Sequence, residues 1–248
     1  MRLPCTTEII SHLPQATGTM QPELFAPLIG LLRRARYALG TSTHGIGPTT
    51  IPRVGCDHRR PPNAVLVIDA SYSMDETDWK PSRLDAAIES ATAYIERLAA
   101  EEPHARVAIV GYWWRARVFS RWVAVSETET LHRALGSIST KGYTNITAGL
   151  KAARKLLGST SGLCQVVLLT DGHHCNGPDP RSIAARLRQV ATVECIGIGG
   201  RPTDVDEDLL KEIASSHPDG SKRYRWIGNK QRLVEHFQQL AGRITRHT

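Results

Sequence analysis

The sequence predicts an α/β domain in which helices cover both faces of a mostly parallel sheet. Three observations carry this. From residue 64 onward, short continuous runs of Val, Ile and Leu alternate with helical patterns. Strands that are apolar at every position are buried on both faces, as parallel strands between helix layers are. The helical segments keep their apolar residues on one stripe, which suits a helix laid on a sheet. Finally, only the short turn Arg115-Ala116-Arg117 separates two strand-like runs. So short a link makes a hairpin, and the hairpin adds one antiparallel edge strand.

Residues 1–62 read as an N-terminal arm. Pro4, Pro14 and Pro22 break its start, and residues 22–39 form an amphipathic helix with Leu24, Leu28, Leu31, Leu32 and Tyr37 on one stripe. Residues 40–62, rich in Gly, Pro, Thr and Arg, read as a linker. The domain proper spans 63–248. Strands are expected at 64–69, 106–114, 118–125, 164–170, 192–199 and, as an edge strand, 223–227, giving six. Helices are expected at 82–100, 127–136, 145–157, 180–190, 206–216 and 230–245. The first has Ser82 as N-cap with Asp85 three residues on.

The chemistry gathers at strand ends. The first strand runs out through Asp69-Ala70-Ser71-Tyr72-Ser73-Met74, and the 164–170 strand through Thr170-Asp171-Gly172; between them a Gly-containing loop presents Thr144 just before a helix. In open α/β sheets ligands bind outside the carboxyl ends of the strands, where strand order reverses. Asp69, Ser71, Ser73, Thr144 and Asp171 offer two carboxylates and three hydroxyls, all hard oxygen donors. That set suits Mg²⁺, with Mn²⁺ or Ca²⁺ as alternatives, and disfavours zinc. Two carboxylates only balance a divalent charge, so a third, supplied by another molecule, would be accepted at an open position.

Asp69-x-Ser71-x-Ser73, Gly142-Tyr143-Thr144-Asn145-Ile146 and Leu169-Thr170-Asp171-Gly172, in this order, resemble the von Willebrand factor A family and its metal-ion-dependent adhesion site. The resemblance covers roughly residues 63–245. It implies a doubly wound, Rossmann-like sheet with a single antiparallel edge strand. It further implies that Ser71, Ser73 and Thr144 ligate the ion directly and that Asp69 and Asp171 act mainly through water. The open position would then take an Asp or Glu of a partner protein. Bacterial relatives of this layout work beside AAA+ ATPases, or beside kinases and phosphatases, which implies a non-enzymatic adaptor. Two positions depart from the family pattern: Tyr72 and Tyr143 stand where many relatives have glycine. Neither removes a ligand atom, and both place an aromatic ring at the rim, where His173 and His174 are also expected to face a partner.

Other features set the alternatives. Lys and Arg number 31 against 24 Asp and Glu, a net charge of +7 with clusters at Arg33, Arg34 and Arg36 and at Lys222, Arg223 and Arg225. Such an excess can favour nucleic acid, but no reading motif accompanies it. A hydrolase using a metal-bound water is a second alternative, with His173 or His174 as the one candidate base. His173-His174-Cys175 could also take zinc, although adjacent residues rarely converge on one ion. Gly197-x-Gly199-Gly200 fails the dinucleotide pattern at Pro202. The five cysteines, odd in number and partly in apolar runs, fit a reducing compartment. With no apolar leader and no stretch of ~20 apolar residues, the expected location is the cytoplasm.

Overall fold

The computed structural model describes residues 61–158 and 163–245. The helix expected over 22–39, and all of the arm but its last two positions, lie outside the described residues. The described chain runs β1 (Asn63–Asp69), α1 (Arg83–Glu101), β2 (Arg106–Tyr112), β3 (Ala116–Ala124), α2 (Thr128–Gly136), α3 (Ile146–Leu157), β4 (Cys164–Thr170), α4 (Arg181–Arg188), β5 (Thr192–Ile198), α5 (Glu207–Ile213), β6 (Tyr224–Ile227) and α6 (Lys230–Thr245).

The strands form one six-stranded sheet in the order β3-β2-β1-β4-β5-β6. Every pairing is parallel except β2 with β3. Strand order therefore reverses between β1 and β4, and the crevice of a doubly wound sheet opens at their carboxyl ends. Register sets what meets there: Asp69 pairs with Tyr112 on one side, and Ile68 pairs with Leu169 on the other.

Alternation along β1 divides the core into two layers. Leu66 and Ile68 pack with Met74, Tyr94, Leu131 and Phe237 of the α1, α2 and α6 side, whereas Val65 and Val67 pack with Tyr112, Ile146, Leu187 and Leu210 of the α3, α4 and α5 side. Successive residues of a strand point to opposite faces, so one apolar run feeds both layers. On the first face Tyr94 of α1 meets Phe237 of α6 edge-on, with centroids 6.3 Å apart.

Boundaries differ from expectation at a few places. β2 stops at Tyr112 rather than Trp114, because the Trp113 N–H turns back to the carbonyl of Arg115 and the Trp113 carbonyl accepts from Asn145 N–H. β3 begins two residues earlier than expected, and register shifts near Ile109 bend the hairpin. The Ser82 cap forms as expected: its hydroxyl accepts from the backbone of Asp85.

Candidate functional site

The site grows from the end of β1. Asp69 is buried, its Oδ1 accepting the N–H of Ser71 at 2.9 Å. Its Oδ2 accepts the Thr170 hydroxyl at 2.7 Å and that of Tyr112 at 3.3 Å. The carboxylate is thus oriented from both neighbouring strands. Tyr112 can sit there because α3 comes close at Gly149, where a Cβ would lie 2.9 Å from the Tyr112 ring and from Val67.

Beyond Asp69 the chain makes a short 3₁₀ turn, Tyr72–Asp75. The turn brings Ser73 Oγ to 3.1 Å from Ser71 Oγ and lets it donate to Asp171 Oδ1 at 2.8 Å. Thr144 arrives on the neighbouring loop. A Cβ placed on Gly172 would lie 3.5 Å from Thr144 Oγ1 and 3.9 Å from Ser73 Oγ, so the two hydroxyls flank one point. Two backbone bonds tie the loops together: Tyr72 N–H to Gly142 O at 3.0 Å, and Lys141 N–H to Ala70 O at 2.7 Å. Gly142 has φ +58° with Trp114 against it, a left-handed position that a side chain would strain. Asn145 then caps α3 by accepting from Ala148 N–H. Asp69, Ser71, Ser73, Thr144 and Asp171, named from separate segments, lie at one place.

The sequence reading missed Arg83. This buried guanidinium donates to Asp171 Oδ2 at 3.0 Å, clasps both oxygens of Asp78 at 2.9 and 2.8 Å, and meets Glu76 at 2.8 Å. The Arg83 bond holds Asp78 below the usual carboxylate range. Its only sequence signal is a basic residue at the first position of a helix, where the dipole disfavours one. Tyr112 and Thr170 were also not assigned the part they play in holding Asp69.

Burial, and then the charge of Asp171, raise the Asp69 carboxyl well above the usual range. Burial raises Asp171 too, against the opposing pull of Ser73 and Arg83. The pair therefore carries more negative charge than its surroundings compensate, and three hydroxyl oxygens lie beside it. A hard divalent cation fits that donor set and would supply the missing charge. Among the described residues no three His, Cys, Asp or Glu side chains are placed to hold a metal ion, so His173-His174-Cys175 does not assemble a zinc set.

The rim residues separate. Tyr72 and Tyr143 are 63% and 68% exposed, and Trp114 joins them at 52% with Arg115 stacked on its ring. His173 is exposed as well. His174 is partly buried instead: its Nδ1 accepts from Ile146 N–H at 3.2 Å and its Nε2 lies 3.0 Å from Pro178 O. Those partners suit the neutral Nε2–H tautomer. The ring ties its loop to the start of α3 rather than facing outward.

A doubly wound α/β domain with an oxygen-lined crevice at its switch point is the class that fold and site define. The sequence matches the von Willebrand factor type A domain over residues 63–233, and the chain belongs to that family. Domains of the family mediate protein–protein interactions. Among solved structures the chain is similar to the von Willebrand factor type A protein from Catenulispora acidiphila, with 22% identity and TM-score 0.64, over 75% of this chain and 42% of that one. It is likewise similar to the PilB minor pilin of Streptococcus sanguinis, with 17% identity and TM-score 0.63, over 75% and 62%. BatB of Bacteroides thetaiotaomicron matches at 18% identity and TM-score 0.60, over 75% of this chain and all of that one. The first two are matched over less than two thirds of their length, and identities this low carry the fold alone. No curated protein matches in sequence. No helix among the described residues is long and apolar enough to cross a membrane.

Proposed function

We propose that this domain binds one divalent cation, Mg²⁺ first and Mn²⁺ or Ca²⁺ as alternatives, and docks through it an Asp or Glu of a partner protein. Ser71, Ser73 and Thr144 hold the ion by their hydroxyls, with Asp69 and Asp171 acting mainly through water. The observation that carries this is the chain of oxygens from Ser71 through Ser73 to Asp171, with Thr144 beside it, at the sheet's switch point. The cation's part is to leave one coordination position that an incoming carboxylate can fill. Tyr72, Tyr143 and Trp114 then form an exposed aromatic rim, the residue types in which binding energy concentrates. In this reading the domain is a cytoplasmic adaptor rather than an enzyme, serving an AAA+ ATPase or a kinase/phosphatase system. Free thiols at Cys175 and Cys195 support a reducing compartment. The hydrolytic alternative needs a base beside the ion, and the acceptor nitrogen of His174 is already engaged.

The test is calorimetric titration with Mg²⁺, paired with capture of a partner from lysate with and without EDTA. Wild type is expected to bind one ion and to lose its partner in EDTA, and Ser73→Ala to lose both. Capture that ignores EDTA and the substitution would overturn the proposal.

A further inference from the structure

At the other edge of the sheet, β6 and the start of α6 enclose a cavity of about 490 Å³. That is within the range of small-molecule pockets. Two exposed guanidinium groups stand over it, Arg225 from the edge strand and Arg232 from α6, and neither has an acidic partner among the described residues. Glu235 is the one acid that lines it, and its Oε1 already accepts from Gln231 at 3.0 Å.

Behind the guanidinium groups is His236 of α6, which also lines the cavity. Its Nδ1 is buried without a hydrogen-bond partner, one of four such side-chain atoms among the described residues. Folded proteins seldom leave buried polar atoms unsatisfied, so one at a cavity calls for an explanation. His236 is only 6% exposed, and burial, followed by the charges of Arg225 and Arg243 nearby, lowers its pKa to about 4. Trp226, the next residue of the strand after Arg225, packs against the opposite layer.

We infer that this cavity binds a phosphorylated small molecule, with Arg225 and Arg232 taking the phosphate group and His236 supplying a donor behind it. Paired guanidinium groups match phosphate oxygens in both charge and geometry. A carboxylate has two oxygens to offer three donor groups, and a phosphate monoester has three. The volume beyond the anion leaves room for the rest of the molecule. Since β5 separates β6 from β4, the inference is independent of the cation site.

The experiment is a calorimetric titration of the full chain with phenyl phosphate, alongside inorganic phosphate, benzoate and sodium chloride at matched ionic strength. The His236 ring Cε1–H resonance is followed by NMR and assigned with His236→Gln. Phenyl phosphate is expected to bind and to move that resonance. The double variant Arg225→Gln/Arg232→Gln, altered only at exposed side chains, should bind at least tenfold more weakly. Ser73→Ala should bind as wild type does. Three results would each overturn the inference: no heat and no movement of the resonance, equal binding by the double variant, or benzoate binding as tightly as phenyl phosphate.

Discussion

The crevice above β1 and β4 and the cavity beside β6 hold opposite imbalances, and they are built in opposite ways. In the crevice two buried acids are fully wired: Asp69 by Ser71, Thr170 and Tyr112, and Asp171 by Ser73 and Arg83. Every bond fixes a direction, yet the negative charge stays in excess. At the far edge the positive groups are exposed and the buried His236 Nδ1 behind them has no bond. A wired site with surplus charge is organised before its ligand arrives. An unwired one gains most of its order from the ligand, so the two should fail differently when perturbed.

The largest effect is expected at Arg83. Replacing it with Met leaves Asp171 buried with no cation beside it, and breaking a buried pair from one side costs about 3–5 kcal/mol. Chemical denaturation of Arg83→Met should show that loss, and adding Asp171→Asn should restore much of it. If the single variant is as stable as wild type, the guanidinium does not hold the site.

Acid should act on the two regions with opposite sign. The folded pKa of His236 is about 4 against an ordinary 6.5. Its contribution is therefore full above 6.5 and is lost as the pH falls toward 4. Between pH 7.5 and 4.5 that amounts to roughly 2–3 kcal/mol. Asp69 is raised from 3.8 to about 7, so the strain of ionising it is absent below 3.8 and grows as the pH rises through 7. Denaturation midpoints for wild type, His236→Gln and Asp69→Asn at both pH values would separate the two. The His236 variant should lose acid sensitivity, and the Asp69 variant should gain it.

With Mg²⁺ at a hundredfold excess over its dissociation constant, stability should rise by about 2.7 kcal/mol. Asp69→Asn should abolish that rise while leaving the domain folded without the ion. A Mg²⁺-induced increase that survives the substitution would remove Asp69 from the ligand set. The smallest effect belongs to the cap that begins the Arg83 helix. Ser82→Ala should cost about 1 kcal/mol and leave Mg²⁺ binding within twofold; a larger change in affinity would mean that the cap positions Arg83.

The fold was legible because its signal is local and repeated: β1 and β4 are apolar at every position, and α1 carries one apolar stripe. The five oxygen-bearing residues were legible because strand ends in a doubly wound sheet converge and three short motifs mark the ends. Arg83 was not, since nothing in the spacing of residues 83 and 171 says that a helix start reaches across the crevice. The orientation of His174 was equally hidden, because it depends on which backbone N–H lies within reach of a loop. The end of β2 was misplaced because two tryptophans look like strand, while the turn at Arg115 and the docking of Asn145 decide otherwise.

The bond from Ser73 to Asp171 spans 98 residues, and the bond from Thr170 to Asp69 spans 101. Closing such long loops is the slow part of assembling a parallel sheet. No half of the chain can make this cluster: α1, the hairpin, α3 and β4 must all be seated before the last oxygen arrives. Whatever grips these oxygens thus reads the history of the chain, because it recognises only molecules that have completed folding.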